Sequence, residues 1–116
     1  MEIKGDKYRV HYDPQTSTID FQGSLRRMGI ADYAPIEKLL ENVVEQNPPL
    51  ITLNLYDLKL LNSAGIRMLS KFVIRIRNQK NIRMIINGTK DSTWQDSSLK
   101  NLQRLMPPSH LELRLH

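Results

Sequence analysis

Apolar residues near the amino terminus follow the spacing of two short β-strands. Residues 8–12 and 18–22 have strand-like composition, and a run of turn-forming residues separates them, Asp13-Pro14-Gln15-Thr16-Ser17. The pattern predicts a β-hairpin at the start of the chain.

Beyond Gly29 the apolar residues recur at intervals of three and four, which is the spacing of one helix face. This face comprises Tyr33, Ile36, Leu40, Val43 and Val44. Asp32 is the predicted N-cap, and Pro35 fits the first turn because that turn has no intrahelical N–H bond to lose. Asn47-Pro48-Pro49 is predicted to end the helix.

The remaining sequence alternates between apolar strands and amphipathic helices. Strands are predicted over residues 50–55, 82–86 and 110–115. A helix is predicted to begin at Asn62-Ser63, and its inner face comprises Ile66, Leu69, Phe72, Val73 and Ile76.

The last predicted helix begins with Ser92-Thr93-Trp94-Gln95, which fits a capping box. In that motif the Gln95 side chain reaches back to the backbone N–H of Ser92. The helix then runs through Leu99, Leu102 and Leu105, and Pro107-Pro108 ends it.

The order hairpin, helix, strand, helix, strand, helix, strand indicates the α/β class. Alternating helices and strands imply right-handed crossovers and a mixed, mostly parallel sheet, with the first strand or two antiparallel at one side. At 116 residues and 13.5 kDa the chain has the size of one domain, expected over residues 1–116.

The composition excludes several classes of protein. No cysteine is present, so disulfides and thiolate metal or redox sites are excluded, and a reducing cytosol suits the chain. The start of the sequence lacks the apolar stretch of a secretory signal, and no later segment approaches the run of about twenty apolar residues that a membrane helix needs. We therefore expect a cytoplasmic protein without a membrane span.

Charge is unevenly distributed along the sequence. The net charge is +5, yet residues 1–58 carry six basic against nine acidic side chains, whereas residues 59–116 carry eleven against three. Such asymmetry fits nucleic acid or an acidic protein partner, although a moderate positive balance also serves solubility alone.

Catalytic arrangements of side chains are missing from the sequence. His11, His110 and His116 lie in or beside predicted strands and not on a predicted helix, so no metal site is expected. Ser63 does not lie in a Gly-x-Ser-x-Gly motif, and the five glycines are too scattered for a phosphate-binding loop. The sequence therefore predicts a non-enzymatic protein without a cofactor.

The junction before the second long helix is the most informative segment. It places a small hydroxyl residue after an apolar strand and a short loop, where Asn62 or Ser63 can act as the N-cap for about 1 kcal/mol. The alternative is that Ser63 is a phosphorylation site, because free N–H groups and the helix dipole favour an anion there. Arg67, one turn later, could pair with such a phosphate.

Three segments resemble the STAS domain of bacterial anti-sigma factor antagonists. They are Phe21-Gln22-Gly23-Ser24-Leu25, Asp57-Leu58 and Asn62-Ser63-Ala64-Gly65-Ile66-Arg67-Met68-Leu69. The resemblance extends over most of the chain and implies a STAS-like single domain.

The resemblance also implies a partner-switching function. In that family an anti-sigma factor that is also a serine kinase phosphorylates the antagonist, a serine phosphatase removes the phosphate, and the unmodified form binds the kinase. Ser63 would then be the phosphorylated residue, Asp57 a contact residue, and Gly65 the glycine that leaves room for a partner. The partner-binding residues implied around it are Asn62, Ala64 and Arg67.

Two features depart from the family pattern. Asn62 stands where the family usually has aspartate, so a carboxylate that a kinase could read is replaced by an amide. The sequence also ends at the closing strand, without the final helix of many relatives. That ending predicts either apolar surface for self-association or a partner, or a smaller core.

Charged ridges extend along two predicted helices at intervals of four residues. The acidic ridge comprises Glu37, Glu41 and Glu45, and the basic ridge comprises Arg67, Lys71 and Arg75. The like charges within each ridge repel one another. Each ridge should therefore lie near opposite charge or be well solvated. The functional alternative is that Lys71 and Arg75 continue the partner-binding face from Ser63.

Two other functions remain open at this point. A small nucleic-acid-binding domain would explain the basic second half, although interleaved exposed aromatic residues and groove-reading motifs are missing. A constitutive STAS scaffold or transporter accessory subunit would keep the fold without using the serine.

Overall fold

The computed structural model describes residues 1–25, 29–79 and 81–116. Its strands are β1 (Glu2–Lys4), β2 (Tyr8–Asp13), β3 (Thr18–Ser24), β4 (Leu50–Asn54), β5 (Leu58–Leu60), β6 (Arg83–Gly88) and β7 (Leu111–Leu115). The helices are α1 (Ala34–Glu45), α2 (Ser63–Gln79) and α3 (Thr93–Gln103), and a short 3-10 helix (Ala31–Tyr33) leads into α1.

The strands form one mixed sheet in the order β1-β2-β3-β4-β6-β7, and β5 also pairs with β3. The β1-β2 and β2-β3 pairs are antiparallel, whereas the pairs among β3, β4, β6 and β7 are parallel. This arrangement confirms the predicted α/β class with a mostly parallel sheet.

All three helices lie on one face of the sheet. The connections through α1, α2 and α3 each move one strand further in the same direction, and right-handed crossovers of that kind place their helices on a common side. Alternate strand residues face these helices and form the buried core, including Phe21, Ile51, Leu53, Met84 and Ile86. The opposite face carries polar residues that stay partly accessible to solvent.

The start of α1 differs from the prediction. Asp32 lies within the 3-10 helix rather than at the N-cap of α1, and its carboxylate accepts the Gly29 N–H at 2.8 Å. The end of α1 agrees with the prediction, because Asn47 takes a positive φ of 51° directly before the two prolines.

The buried face of α2 differs slightly from the predicted one. Met68 is buried with Leu69 and Phe72, whereas Ile66 is half-buried. No helix in the described parts of the chain is long and apolar enough to cross a membrane.

The predicted capping box at α3 is wrong. Ser92 is the N-cap but makes no side-chain cap hydrogen bond, and Gln95 is fully buried with 0% exposure. Its amide instead donates to the Leu55 and Leu58 carbonyls at 2.6 and 3.0 Å, and its Oε1 accepts the Thr89 N–H at 2.8 Å. Gln95 therefore connects the segments that follow β4 and β6.

Candidate functional site

The candidate site lies where the chain passes from the sheet into α2. After β4 the backbone turns through a Leu58 N–H bond to the Leu55 carbonyl at 3.0 Å and then forms the short strand β5. Strand β5 pairs in parallel with the end of β3, so the start of α2 is fixed at the carboxyl edge of the parallel strands. Ligands and partners of α/β proteins commonly approach at this edge.

Asn62 is the residue that caps α2. Its Oδ1 accepts the Gly65 N–H at 2.9 Å, and its backbone carbonyl accepts the first helical hydrogen bond, from the Ile66 N–H at 3.0 Å. The sequence alone could not decide whether Asn62 or Ser63 is the N-cap of α2. These hydrogen bonds identify Asn62 as the N-cap.

Ser63 consequently occupies the first position of the helix, beyond the cap. Its side chain is exposed to solvent. The N–H groups of the first turn point toward the same end of the helix, where the dipole is positive and an anion is stabilised. A phosphate on this hydroxyl would therefore project outward and would require no opening of the fold.

Tyr33 forms a hydrogen bond with the capping residue Asn62. The Tyr33 hydroxyl donates to Asn62 Oδ1 at 2.7 Å. The Leu25 carbonyl oxygen lies 3.2 Å from the Tyr33 hydroxyl oxygen. The ring is buried, and desolvation raises the pKa of Tyr33 to about 12, so the hydroxyl keeps its proton. This contact connects the start of α1 to the start of α2.

Gly65 is enclosed by side chains of its own chain. It is buried, and a Cβ at this position would collide with the Leu61 side chain and lie 2.6 Å from the Tyr33 hydroxyl. The missing side chain therefore makes room for residues of the same chain.

The other residues named for partner binding differ in exposure. Arg67 and Asp57 are exposed, whereas Ala64 is half-buried. Asp57 lies in the turn between β4 and β5, and its charge adds to desolvation, the larger cause, in raising the pKa of Asp20. The accessible surface around the start of α2 thus carries a hydroxyl, a positive charge and a negative charge, from Ser63, Arg67 and Asp57.

Sequence reasoning missed the apolar contribution to this surface. Ile30 is 73% exposed and lines a shallow depression next to Ala64 and Arg67. Tyr56 and Leu60, in the segment between β4 and α2, are 45% and 41% exposed. Ile30 and Tyr56 lie outside the strands and helices, and Leu60 lies in the three-residue strand β5, so the exposure of these side chains has no periodic signal in the sequence.

The two charged ridges face each other across the groove between α1 and α2. Arg75 Nε and Nη2 each lie 3.0 Å from Glu41 Oε1, and Glu37 and Lys71 line the same groove. The predicted nearness to opposite charge is therefore observed for Arg75. This pairing also occupies the Arg75 guanidinium, which was expected to be available to a partner.

Comparison with known proteins extends these observations. No protein-family model matches the sequence, and no curated protein matches it. An anti-sigma factor antagonist from Mycobacterium paratuberculosis is similar in structure, with a TM-score of 0.65, 17% identity, and coverage of 94% of this chain and 88% of that one.

A second similar structure is that of the diguanylate cyclase SiaD in complex with its activator SiaC from Pseudomonas aeruginosa. The similarity to SiaC has a TM-score of 0.72 and 12% identity, and it covers 100% of this chain and 99% of that one. At these identities the likeness establishes the fold. The chain has a STAS-like fold, as the sequence resemblance implied.

Proposed function

We propose that this protein is a non-enzymatic partner-switching regulator that acts in the cytoplasm. Its binding surface is the junction at Asn62-Ser63 together with Asp57, Ala64 and Arg67 around it. The unmodified form binds a serine-kinase-type anti-sigma factor, and phosphorylation of Ser63 releases that partner. A serine phosphatase restores the binding form.

The observation that carries this proposal is the division of roles between two neighbouring residues. Asn62 supplies the cap hydrogen bond, so the Ser63 hydroxyl is exposed on the helix without being needed to hold the helix start. A residue at this position can gain or lose a phosphate while the domain keeps its structure.

The physical basis of release is the charge of the phosphate. A phosphoserine carries about −1.5 to −2 charges and three acceptor oxygens. Burying that charge in an interface without matching donors costs several kcal/mol, and each 1.4 kcal/mol lowers affinity about tenfold. One modified hydroxyl is therefore sufficient to change a bound state into a dissociated one.

The test is incubation of the full chain with a serine-kinase-type anti-sigma factor and ATP, followed by intact mass and site mapping. We expect one phosphate on Ser63, none on the Ser63→Ala variant, and unchanged modification of the Ser97→Ala variant, whose exposed serine lies on α3. Equal labelling of the Ser63→Ala variant would reject the assigned site.

Binding is measured in parallel with the Ser63→Asp variant. It should bind the same partner about 100-fold more weakly than the wild type because a charge replaces a hydroxyl within the interface. The Asn62→Asp variant restores the carboxylate found in the family and tests whether the kinase reads it. Faster phosphorylation of that variant would show that the amide at position 62 limits the reaction.

The end-to-end similarity to SiaC favours a second candidate partner. SiaC activates a diguanylate cyclase, and its length matches this chain almost completely. The same junction would then dock on an enzyme and control its activity. Stimulation of a purified cyclase by the wild type, absent with Ser63→Asp, would favour this partner over an anti-sigma factor.

A further inference from the structure

The strand β7 forms one edge of the sheet. Among the described residues it pairs with β6 on one side, and its other side has no partner strand. An exposed edge strand presents a row of backbone N–H and C=O groups to which another strand can add. What could add to this edge depends on which groups face outward and which side chains flank them.

The pairing with β6 determines which backbone groups are free. The His110 carbonyl accepts the Met84 N–H at 2.8 Å, and the His116 N–H donates to the Gly88 carbonyl at 3.0 Å. Because a parallel ladder uses alternate residues, residues 110, 112, 114 and 116 bond to β6. The N–H and C=O groups of Leu111, Leu113 and Leu115 therefore point toward the open edge.

The side chains of β7 are arranged symmetrically about Leu113. The sequence reads Leu-Glu-Leu-Arg-Leu, with an acid on one side of the central leucine and a base on the other. Glu112 and Arg114 are exposed and form an ion pair within the strand, whereas Leu113 and Leu115 are partly buried against the core on the helix side of the sheet.

We propose that β7 pairs antiparallel with β7 of a second copy of this chain, about a two-fold axis at Leu113. In this register Leu113 lies opposite Leu113, and Leu111 lies opposite Leu115. The backbone groups of these residues point outward, so the central Leu113 pair can exchange both of its hydrogen bonds, whereas Leu111 is only 3% exposed.

The same register pairs opposite charges. Glu112 of each copy lies opposite Arg114 of the other, at the positions without cross-strand hydrogen bonds, where facing side chains approach most closely. The leucines meet on the helix side and extend the apolar layer into the second copy. Backbone geometry restricts the pairing to registers that place these leucines opposite one another, and the charges of Glu112 and Arg114 select this register among them. A two-fold contact of this kind closes at a dimer.

The proposed β7 contact uses none of the residues of the junction at Ser63, so this inference does not depend on the proposed function. Each dimer would present two such junctions to its partners. A failure of dimerisation would not affect the phosphorylation test, and a failure of phosphorylation would not affect the dimer.

The test is sedimentation equilibrium of the full chain over a concentration series. The wild type should move from 13.5 kDa toward twice that mass as concentration rises to about 100 μM, a range suited to a small interface. Glu112→Arg and Arg114→Glu each place like charges opposite each other twice per dimer. Each should weaken association about tenfold or more.

Complementary variants supply the decisive control. An equimolar mixture of Glu112→Arg and Arg114→Glu restores both opposite-charge pairs in the mixed dimer, so the mixture should associate although each variant alone does not. The double variant Glu112→Arg/Arg114→Glu should dimerise as the wild type does. Both side chains are exposed, so thermal melts at concentrations where the wild type is monomeric should be the same for all these variants.

Amide hydrogen exchange tests the backbone pairing directly. The Leu113 amide should be protected at high concentration and exchange quickly at low concentration, whereas the Glu112 amide, bonded to β6, should be protected at both. A wild type that stays monomeric, single variants that dimerise normally, or a mixture that does not associate would each overturn the proposal.

Discussion

Asn62 and Ser63 are adjacent residues that perform different physical tasks. The Asn62 Oδ1 atom accepts two hydrogen bonds, from the Gly65 N–H and from the Tyr33 hydroxyl, and so holds two helix starts together. Ser63 faces solvent beside it. The residue that caps the helix is therefore distinct from the residue proposed to be phosphorylated.

This separation predicts opposite outcomes for two alanine variants. Asn62→Ala removes the cap and leaves the buried Tyr33 hydroxyl without its nearest acceptor, so it should lower the free energy of unfolding by about 2 kcal/mol. Ser63→Ala should change it by less than about 0.5 kcal/mol, as expected for an exposed position. Urea denaturation of both variants measures the difference.

Asn62→Asp is the matched control for this experiment. A carboxylate keeps both acceptor contacts and adds a charge that the helix N-terminus favours, so stability should be retained. Equal destabilisation by the two alanine substitutions would contradict the division of roles.

The sequence could not choose between the two residues because both are good caps. The choice depends on Tyr33, 29 positions away, whose hydroxyl reaches Asn62 through the packing of α1 on α2. Asp32 is a second example. The local sequence predicted that Asp32 is the N-cap of α1, but Asp32 lies in the 3-10 helix and α1 begins after it. Local propensity locates such elements but does not determine which neighbour satisfies each polar group.

At the scale of secondary-structure elements, Gln95 links α3 to the ends of two strands of the sheet. It lies on α3, yet its side chain bonds to backbone groups of the β4-β5 turn and of the segment after β6. Trp94 adds a bond from Nε1 to the Lys59 carbonyl at 3.0 Å, next to the strand that leads to Ser63. Helix α3 therefore helps to position the candidate site without contributing to its surface.

We expect Gln95→Met to destabilise the protein strongly. Methionine has a similar volume but cannot replace the amide, so the Thr89 N–H loses its acceptor and two carbonyls lose a donor within the core. The cost should be about 2 to 4 kcal/mol. Gln103→Met, at an exposed position of the same helix, should cost less than about 0.5 kcal/mol.

Denaturation curves for the two methionine variants provide the comparison. If Gln95→Met were as stable as Gln103→Met, the buried amide would not be holding the strand ends together. Loss of partner binding by Gln95→Met with retained stability would instead indicate that the buried amide positions the candidate site without being needed for the stability of the fold.

Long periodic segments were predictable, and short or irregular ones were not. The hairpin, the three helices and strands β4, β6 and β7 follow apolar spacing and turn residues. Strands β1 and β5 were missed because each has three residues, too few to show alternation. They form through pairing with β2 and β3, and pairing is a property of the fold rather than of a local segment.

At the scale of the whole molecule, folding brings part of the acidic first half of the sequence against part of the basic second half. The acidic first half and the basic second half meet where α1 packs against α2, and Arg75 pairs there with Glu41. Elsewhere Lys100 pairs with Asp96, and Arg114 pairs with Glu112. At the α1-α2 groove the basic side chains of α2 are therefore mixed with acidic ones of α1, which makes this ridge a poorer footprint for nucleic acid.

This mixing predicts weak, salt-sensitive binding to nucleic acid at most. Nonspecific binding requires several basic groups to reach phosphates together, so the wild type should show no measurable affinity for a labelled mixed-sequence duplex near physiological salt. Glu37→Lys/Glu41→Lys removes the acidic side of the α1-α2 groove and unmasks the basic ridge. That variant should bind at about 50 mM salt and dissociate steeply by about 200 mM in fluorescence anisotropy. A steep salt-dependent affinity already present in the wild type would mean that the basic residues act together despite their acidic neighbours, and it would favour a nucleic-acid partner over a protein one.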